Sequence, residues 1–224
     1  MVIIVLLVTA GLAGLGGGGT VLHLELTRAP TRAEIAAAGT AEIASRWQRL
    51  PAGQIFPATI RYLTAEGMRG IAYRVGIAPR APCERALIPA VAKVLRRDDC
   101  VTVLRATYVD RQGFLAAAVG VAVMRDTADA VRAANRVTSA AGFRAARFAS
   151  SWGVFFRDAQ RGWSTITAPR GPYVFLVSAG YTDGRPGTGD YPAGPEGLGS
   201  GVLNHVIAAL TSGSDPCART DIRC

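Results

Sequence analysis

The amino-terminal segment constrains this chain most, because residues 2–22 contain no charged side chain. Residues 2–10 are strongly apolar, and the residues that follow as far as position 19 are rich in glycine. A helix needs about 20 predominantly apolar residues to cross a bilayer. We therefore predict a transmembrane anchor over residues 1–22, with the amino terminus inside the cell and the folded domain outside. A cleaved signal peptide is the alternative, because its apolar stretch precedes small residues.

The glycines of this segment allow a second interpretation. Gly14, Gly16 and Gly19 match the G-x-G-x-x-G pattern that follows the first strand of a dinucleotide-binding fold. That fold requires a helix directly after the glycines, and Pro30 would cut such a helix short. A run this rich in glycine also matches the pattern by chance. Dinucleotide binding through residues 14–19 is therefore kept only as an alternative function.

The four cysteines favour an oxidising compartment outside the cytoplasm. Cys217 and Cys224 lie in a polar carboxy-terminal tail, residues 213–224, where no core would protect a free thiol. Four cysteines allow three pairings, and the simplest joins sequence neighbours, Cys83 with Cys100 and Cys217 with Cys224. Disulfides persist in oxidising compartments. The chain has no C-x-x-C motif, so we predict no metal site.

The Cys83–Cys100 pair conflicts with the helical pattern between the two residues. A straight helix over residues 83–97 would separate the two cysteines by about 20 Å. A disulfide needs Cα atoms within about 7 Å of each other. Three solutions are open: the helix begins near Pro89, the preceding loop folds back, or the cysteines pair differently.

Hydrophobic periodicity predicts helices interspersed with hairpin strands. Thr31 and Glu34 form a capping box that starts a helix in the juxtamembrane segment, residues 23–50. Strands are predicted over residues 54–63, 70–77, 101–109, 114–124, 163–167 and 173–181, with a further apolar strand face at 148–156. Helices are predicted over residues 83–97, 126–140 and 201–210. Residues 51–212 should form an α+β domain, a mainly antiparallel sheet with helices packed on one face.

Residues 182–200 are rich in glycine and proline, which predicts a long irregular loop between the last strand and the last helix. The charged residues of this candidate binding loop are Asp183, Arg185, Asp190 and Glu196. Its carboxylates could bind a hard cation or perform acid–base chemistry. An envelope hydrolase that uses these carboxylates is therefore an alternative function, and ordinary turn formation is the simpler explanation of the same residues.

The rest of the chain offers little catalytic chemistry. His205 is the only histidine of the predicted domain, and it lies on the last helix between Val202 and Val206, as a structural histidine would. No G-x-S-x-G motif accompanies it. We therefore predict no catalytic residue and no cofactor. The expected function is a non-enzymatic binding or scaffold role at the cell envelope.

The net charge of +9 indicates an anionic partner. All the basic side chains except Lys93 are arginines, and they are spread along the chain without interleaved aromatic residues. That distribution is unlike a single-strand nucleic-acid surface, so no nucleic acid is expected. The expected partners are the membrane itself through residues 2–22, and anionic lipid, a wall polymer or an envelope protein.

Two segments carry a resemblance to a known group of proteins. Residues 101–113 (VTVLRATYVDRQG) and residues 171–185 (GPYVFLVSAGYTDGR) resemble uncharacterised actinobacterial membrane proteins. The resemblance covers about residues 50–212, and it implies one amino-terminal transmembrane helix and a small outer α+β domain. The layout is also similar to the outer sensor domains of actinobacterial kinases and to related lipoprotein domains. These motifs are structural hairpins, so the resemblance implies no catalytic residue.

Overall fold

The computed structural model describes residues 28–64, 67–137, 161–183, 193–213 and 215–216. The chain divides into two compact units, residues 1–39 with 215–224, and residues 40–214. No helix within the described ranges is long and apolar enough to span a membrane. The predicted anchor at 1–22, the glycines of 14–19 and the tail cysteines Cys217 and Cys224 lie outside the described residues, as does the predicted strand at 148–156.

Six helices and six strands are described. In chain order they are α1 (Arg32–Arg49), α2 (Ala52–Ile55), β1 (Thr59–Leu63), β2 (Arg69–Ala81), α3 (Cys83–Ala86), α4 (Pro89–Arg97), β3 (Cys100–Asp110), β4 (Leu115–Met124), α5 (Thr127–Arg136), β5 (Arg161–Thr167), β6 (Tyr173–Tyr181) and α6 (Ala193–Thr211). This confirms the predicted α+β class.

The strands form one antiparallel sheet in the order β1-β2-β3-β4-β6-β5. The hairpins β3–β4 and β5–β6 lie where the sequence predicts them. The central strand β4 is buried along almost its whole length. Its side chains alternate between larger residues on one face and alanines on the other, as expected for a strand covered on both sides.

Helices cover both faces of this sheet, so the prediction of helices on one face is wrong. On one face, Val119 and Val121 of β4 share a core with Leu198 and Val202 of α6. On the other face, the small alanines of β4 share a core with α4 and α5. Small side chains on that face let the short helices approach the sheet closely and pack against it. The alanine face is therefore covered by helices, as the valine face is.

The capping box in the first unit is confirmed. The Thr31 backbone N–H donates to the Glu34 carboxylate at 2.7 Å, and the Glu34 N–H donates to the Thr31 hydroxyl at 3.3 Å. Arg28 pairs with the same carboxylate at 2.6 Å. The hydrogen bonds from Arg28 and Thr31 lower the pKa of Glu34 to about 2. At the start of α1, the backbone N–H groups of Thr31 and Glu34 are therefore each hydrogen-bonded to the side chain of the other residue.

The Cys83–Cys100 disulfide forms, and a break in the helix explains how. The two Cα atoms are 6.4 Å apart. The predicted helix over residues 83–97 is divided into α3 and α4 by extended backbone at Leu87 and Ile88, and Pro89 starts the second helix. The first of the three solutions is therefore correct, and the disulfide joins the start of α3 to the start of β3.

Two strand boundaries differ from the prediction. Residues 52–55 form the short helix α2, so β1 begins only at Thr59. The β2 strand continues through Pro79 to Ala81, beyond the predicted end at residue 77. Proline has no backbone N–H to donate, and the register of β2 with β3 shifts between Ala78 and Ala81, which is where a strand tolerates it.

Helix α6 begins at Ala193, so the prediction of an irregular loop as far as residue 200 is wrong from that point. Pro195 lies in the first turn, where its missing N–H has no helical partner to lose. Leu198, Val202 and Val206 then follow at helical spacing and are fully buried. Burial of this stripe outweighs the poor helix propensity of the glycines between residues 194 and 201.

The carboxy-terminal end of α6 is held by a buried ion pair. Arg46 pairs with Glu42 one turn earlier on α1, at 2.8 Å, and both side chains are almost fully buried. Arg46 also donates to the backbone carbonyls of Ser212 and Gly213. These carbonyls end the helix and have no partner within it. Within the second unit, Arg46 therefore joins α1 to the end of α6.

Buried tyrosines make the fold sensitive to alkaline pH. Burial raises the pKa of Tyr173 to about 12 and raises the pKa values of Tyr108 and Tyr62 as well. These phenols stay neutral in the folded protein while an unfolded tyrosine ionises near pH 10. The contribution of these tyrosines to the free energy of unfolding should therefore be constant below about pH 10 and fall as pH rises toward 12.

Urea unfolding across this range tests the expectation with Tyr173→Phe. The variant loses the hydrogen bond from the phenol to the Ile43 carbonyl, so its free energy of unfolding at neutral pH should be about 1 kcal/mol lower. As pH rises toward 12, however, its free energy of unfolding should fall less steeply than that of the wild type. Phe175→Leu is the control, because it weakens the same core without removing a phenol and should keep the wild-type slope. Equal slopes in all three proteins would contradict the assignment to Tyr173.

Candidate binding groove

An open groove lies between the β1–β2 hairpin and helix α6, and we call it the hairpin–helix groove. Its volume is about 830 Å³, within the range of small-molecule and peptide sites. The hairpin contributes Arg61, Tyr62, Leu63 and Arg69, and the helix contributes Gly197, Ser200, Gly201, Asn204 and His205. All of these residues belong to the second compact unit.

The helical wall of the groove is one stripe of α6. Positions 197, 200, 201, 204 and 205 follow the three- and four-residue spacing that places side chains on one helix face. The neighbouring stripe, which contains Leu198 and Val202, is buried against the sheet. The wall is therefore polar and small, with the amide of Asn204 and the imidazole of His205 both exposed.

Tyr62 forms the contact between the two walls. A Cβ atom on Gly201 would overlap the Cβ of Tyr62, and a Cβ on Gly70, its cross-strand partner, would overlap the tyrosine ring. Glycine is thus required at both positions because Tyr62 fills the space. Two residues earlier on α6, a Cβ on Gly199 would lie 2.6 Å from the ring of Trp163. The glycines that disfavour a helix are therefore what brings α6 against the sheet.

The electrostatic character of the groove is cationic. Its lining, as far as the chain is described, includes two arginines and no carboxylate. Within the described ranges, neither Arg61 nor Arg69 forms an ion pair, whereas Arg46, Arg125 and Arg136 all pair with carboxylates. Unneutralised guanidinium groups attract anions and can bind carboxylate or phosphate in a bidentate manner.

The edge of β1 that faces away from β2 pairs with no described strand, and this free edge borders the groove. Ala58 accepts a hydrogen bond from Arg74 N–H at 2.9 Å, and Thr64 N–H donates to Met68 at 2.8 Å. Opposed residues of an antiparallel pair alternate between bonded and non-bonded positions. Even-numbered residues of β1 therefore bond to β2, and the odd-numbered residues, Thr59, Arg61 and Leu63, direct their N–H and C=O groups away from the sheet.

The candidate binding loop that the sequence predicts is described only at its two ends. Asp183 follows β6 in a turn, and Glu196 is exposed in the first helical turn of α6. Arg185 and Asp190 lie outside the described residues. Neither Asp183 nor Glu196 lines the hairpin–helix groove. The binding role of these four residues stays a prediction.

One other candidate residue has a definite place in the structure. His205, which the sequence favours as a structural histidine, is exposed and lines the groove. Among the described residues, no three His, Cys, Asp or Glu side chains lie close enough together to hold a metal ion.

The sequence does not indicate that Arg61, Arg69 and Asn204 lie together in one groove. Arg61 lies in the middle of a strand whose neighbours Ile60 and Tyr62 are buried, which is the usual pattern of an edge strand with one solvent face. The proximity of α6 to this strand depends on residues about 140 positions away. No local signal in the sequence shows that proximity.

Comparison with known proteins adds no assignment to this geometry. No protein-family model, no curated protein and no solved structure matches the chain.

The contact between Gly201 and Tyr62 can be tested with Gly201→Ala. We expect a loss of about 1–3 kcal/mol in the free energy of unfolding, because the new methyl group forces α6 away from β1. Gly194→Ala is the matched control on the same helix, since its nearest neighbour is Leu115 at 3.4 Å. It should leave stability unchanged or slightly raised. Urea unfolding measures both, and a Gly201→Ala protein as stable as wild type would contradict the close contact.

Proposed function

We propose that this protein is a membrane-anchored binding domain on the outer side of the cell envelope. It acts without catalysis and holds an anionic envelope component in the hairpin–helix groove. The observation that carries the proposal is the lining of that groove, whose described residues include Arg61, Arg69 and His205 and no carboxylate. The anchor in this proposal is the uncharged segment 2–22.

The Cys83–Cys100 disulfide supports the outer location. It joins α3 to β3, and Cys83 is only 2% exposed. Bonds of this kind are rare in reducing compartments. In a chain whose first uncharged segment is long enough to span a bilayer, the disulfide favours translocation of the folded domain.

The composition of the described groove lining, which holds no carboxylate, favours binding over hydrolysis. General acid–base catalysis at a site needs a group that can donate and a group that can accept a proton. The described lining offers His205 without a nearby carboxylate in the same lining to orient it. The described lining instead offers hydrogen-bond donors, which are the two guanidinium groups, the amide of Asn204 and the hydroxyl of Ser200.

Anion binding by the groove can be tested with the double variant Arg61→Gln, Arg69→Gln. Each charge-assisted hydrogen bond contributes about 1.5–3 kcal/mol, so affinity for soluble polyphosphate or polyglutamate should fall at least about tenfold. Calorimetry at constant ionic strength measures it. The matched control, Arg85→Gln with Arg97→Gln, removes the same charge from exposed residues of α3 and α4. An equal loss in both variants would show an effect of net charge alone and contradict the groove as the site.

The outer location can be tested by labelling thiols on intact cells with a membrane-impermeant reagent. Cys217→Ser with Cys224→Ser restricts the signal to Cys83 and Cys100. We expect labelling only after mild reduction, because the two thiols are joined in a disulfide outside the membrane. Labelling that needs cell lysis but no reductant would place reduced thiols inside the cell and contradict the proposal.

A further inference from the structure

We infer that the anionic component is an extended peptide segment with acidic side chains, which adds as a new strand to the free edge of β1. This inference rests on the proposed function, because it names the partner of the same groove. An extended segment between an edge strand and a helix is a recurring mode of peptide recognition.

The backbone of β1 provides the first part of the argument. Arg61 and Leu63 direct their N–H and C=O groups away from β2, as the register and the bonded pairs at Ala58 and Thr64 require. Such groups form a template for another strand, which would lie about 4.8 Å from β1. Arg61, Tyr62 and Leu63 line the groove, and β1 is the outermost of the described strands on this side of the sheet, so a strand added there would enter the groove.

Helix α6 provides the second part. Its groove stripe, from Gly197 to His205, spans more than two helical turns, and Gly201 within it lies against Tyr62 of β1. A strand added to β1 would have alternate side chains directed to this stripe, where Ser200 and Gly201 leave room and Asn204 can donate hydrogen bonds. The helix wall would thus contact every second side chain of the added segment and could discriminate among sequences. A sheet edge without a helix beside it would lack these side-chain contacts.

Charge and exposed apolar surface provide the third part. Arg61 and Leu63 lie on the hairpin face opposite the α6 core, across from Ile71 and Arg69 respectively. Leu63 is 61% exposed and Ile71 37% exposed. On this face, a strand added beside β1 would meet the guanidinium group of Arg61 and the apolar side chain of Leu63. Its other side chains would be directed to α6. Opposite charges on neighbouring strands stabilise the pairing, which selects acidic residues in the partner.

Amide hydrogen exchange followed by NMR tests strand addition directly. The probe is an acetylated and amidated heptapeptide of alternating valine and glutamate, added to the whole protein. We expect exchange of the Arg61 and Leu63 amides to slow at least about tenfold, because the peptide bonds to them. Exchange at Ile60 and Tyr62 should change less than about twofold, because those amides already bond to β2.

Two matched controls separate backbone pairing from charge and from general association. The same heptapeptide with every backbone nitrogen methylated keeps its carboxylates and loses its donors, so its affinity should fall at least about tenfold. In the protein, Asn204→Trp fills the groove and should abolish binding. Asn135→Trp places the same exposed substitution on α5 and should bind as wild type does.

The outcomes distinguish the inference from the proposed function. Peptide binding without alternating protection, or equal affinity of the methylated peptide, overturns strand addition and leaves an anion groove. Binding of anionic phospholipid vesicles together with no binding of the peptide also overturns it. If neither polyphosphate nor the peptide depends on Arg61 and Arg69, the proposed function itself fails.

Discussion

The contact of Tyr62 with Gly201 sets the separation of helix α6 from the sheet, and the groove depends on that separation. With no side chain at position 201, the helix backbone comes against the Cβ of Tyr62. The core stripe of Leu198 and Val202 then packs on the sheet, and the next stripe borders the edge of β1. A larger residue at 201 would move the polar wall away from the edge strand, and a strand and helix farther apart could not contact one segment together.

The opposite end of α6 is fixed by a different interaction. Arg46 is held by Glu42 and donates to the carbonyls of Ser212 and Gly213. Removal of Glu42 would leave the buried guanidinium of Arg46 without its carboxylate, which costs about 3–5 kcal/mol. The helix is thus held by packing near Gly201 and by hydrogen bonds at its end, so the proposed ligand would require little rearrangement of the groove. A preformed site loses less entropy on association.

The elements that the sequence predicts well depend on local information. The hairpin β3–β4 is marked by alternating apolar residues on both sides of a turn at Gly113, and the start of α5 by the Asp126 cap. Helix α6 is underestimated because its glycines have poor helix propensity, and only tertiary contact explains two of them, Gly199 against Trp163 and Gly201 against Tyr62. For the same reason the groove is not visible in the sequence: its two walls are distant in the chain, and tertiary packing alone joins them.

A free strand edge beside an apolar hairpin face is a hazard for aggregation, and β1 limits it in two ways. The strand has only five residues, and the middle one of its three outward-bonding residues is Arg61, which a basic strand would pair with poorly. The same arginine that discourages unspecific pairing would stabilise a strand with an acidic residue opposite it. One side chain, Arg61, can thus both discourage pairing with basic strands and favour pairing with acidic ones. The charge of Arg61 would thus restrict what can bind at this edge, which pairs with no described strand except β2 on its inner side.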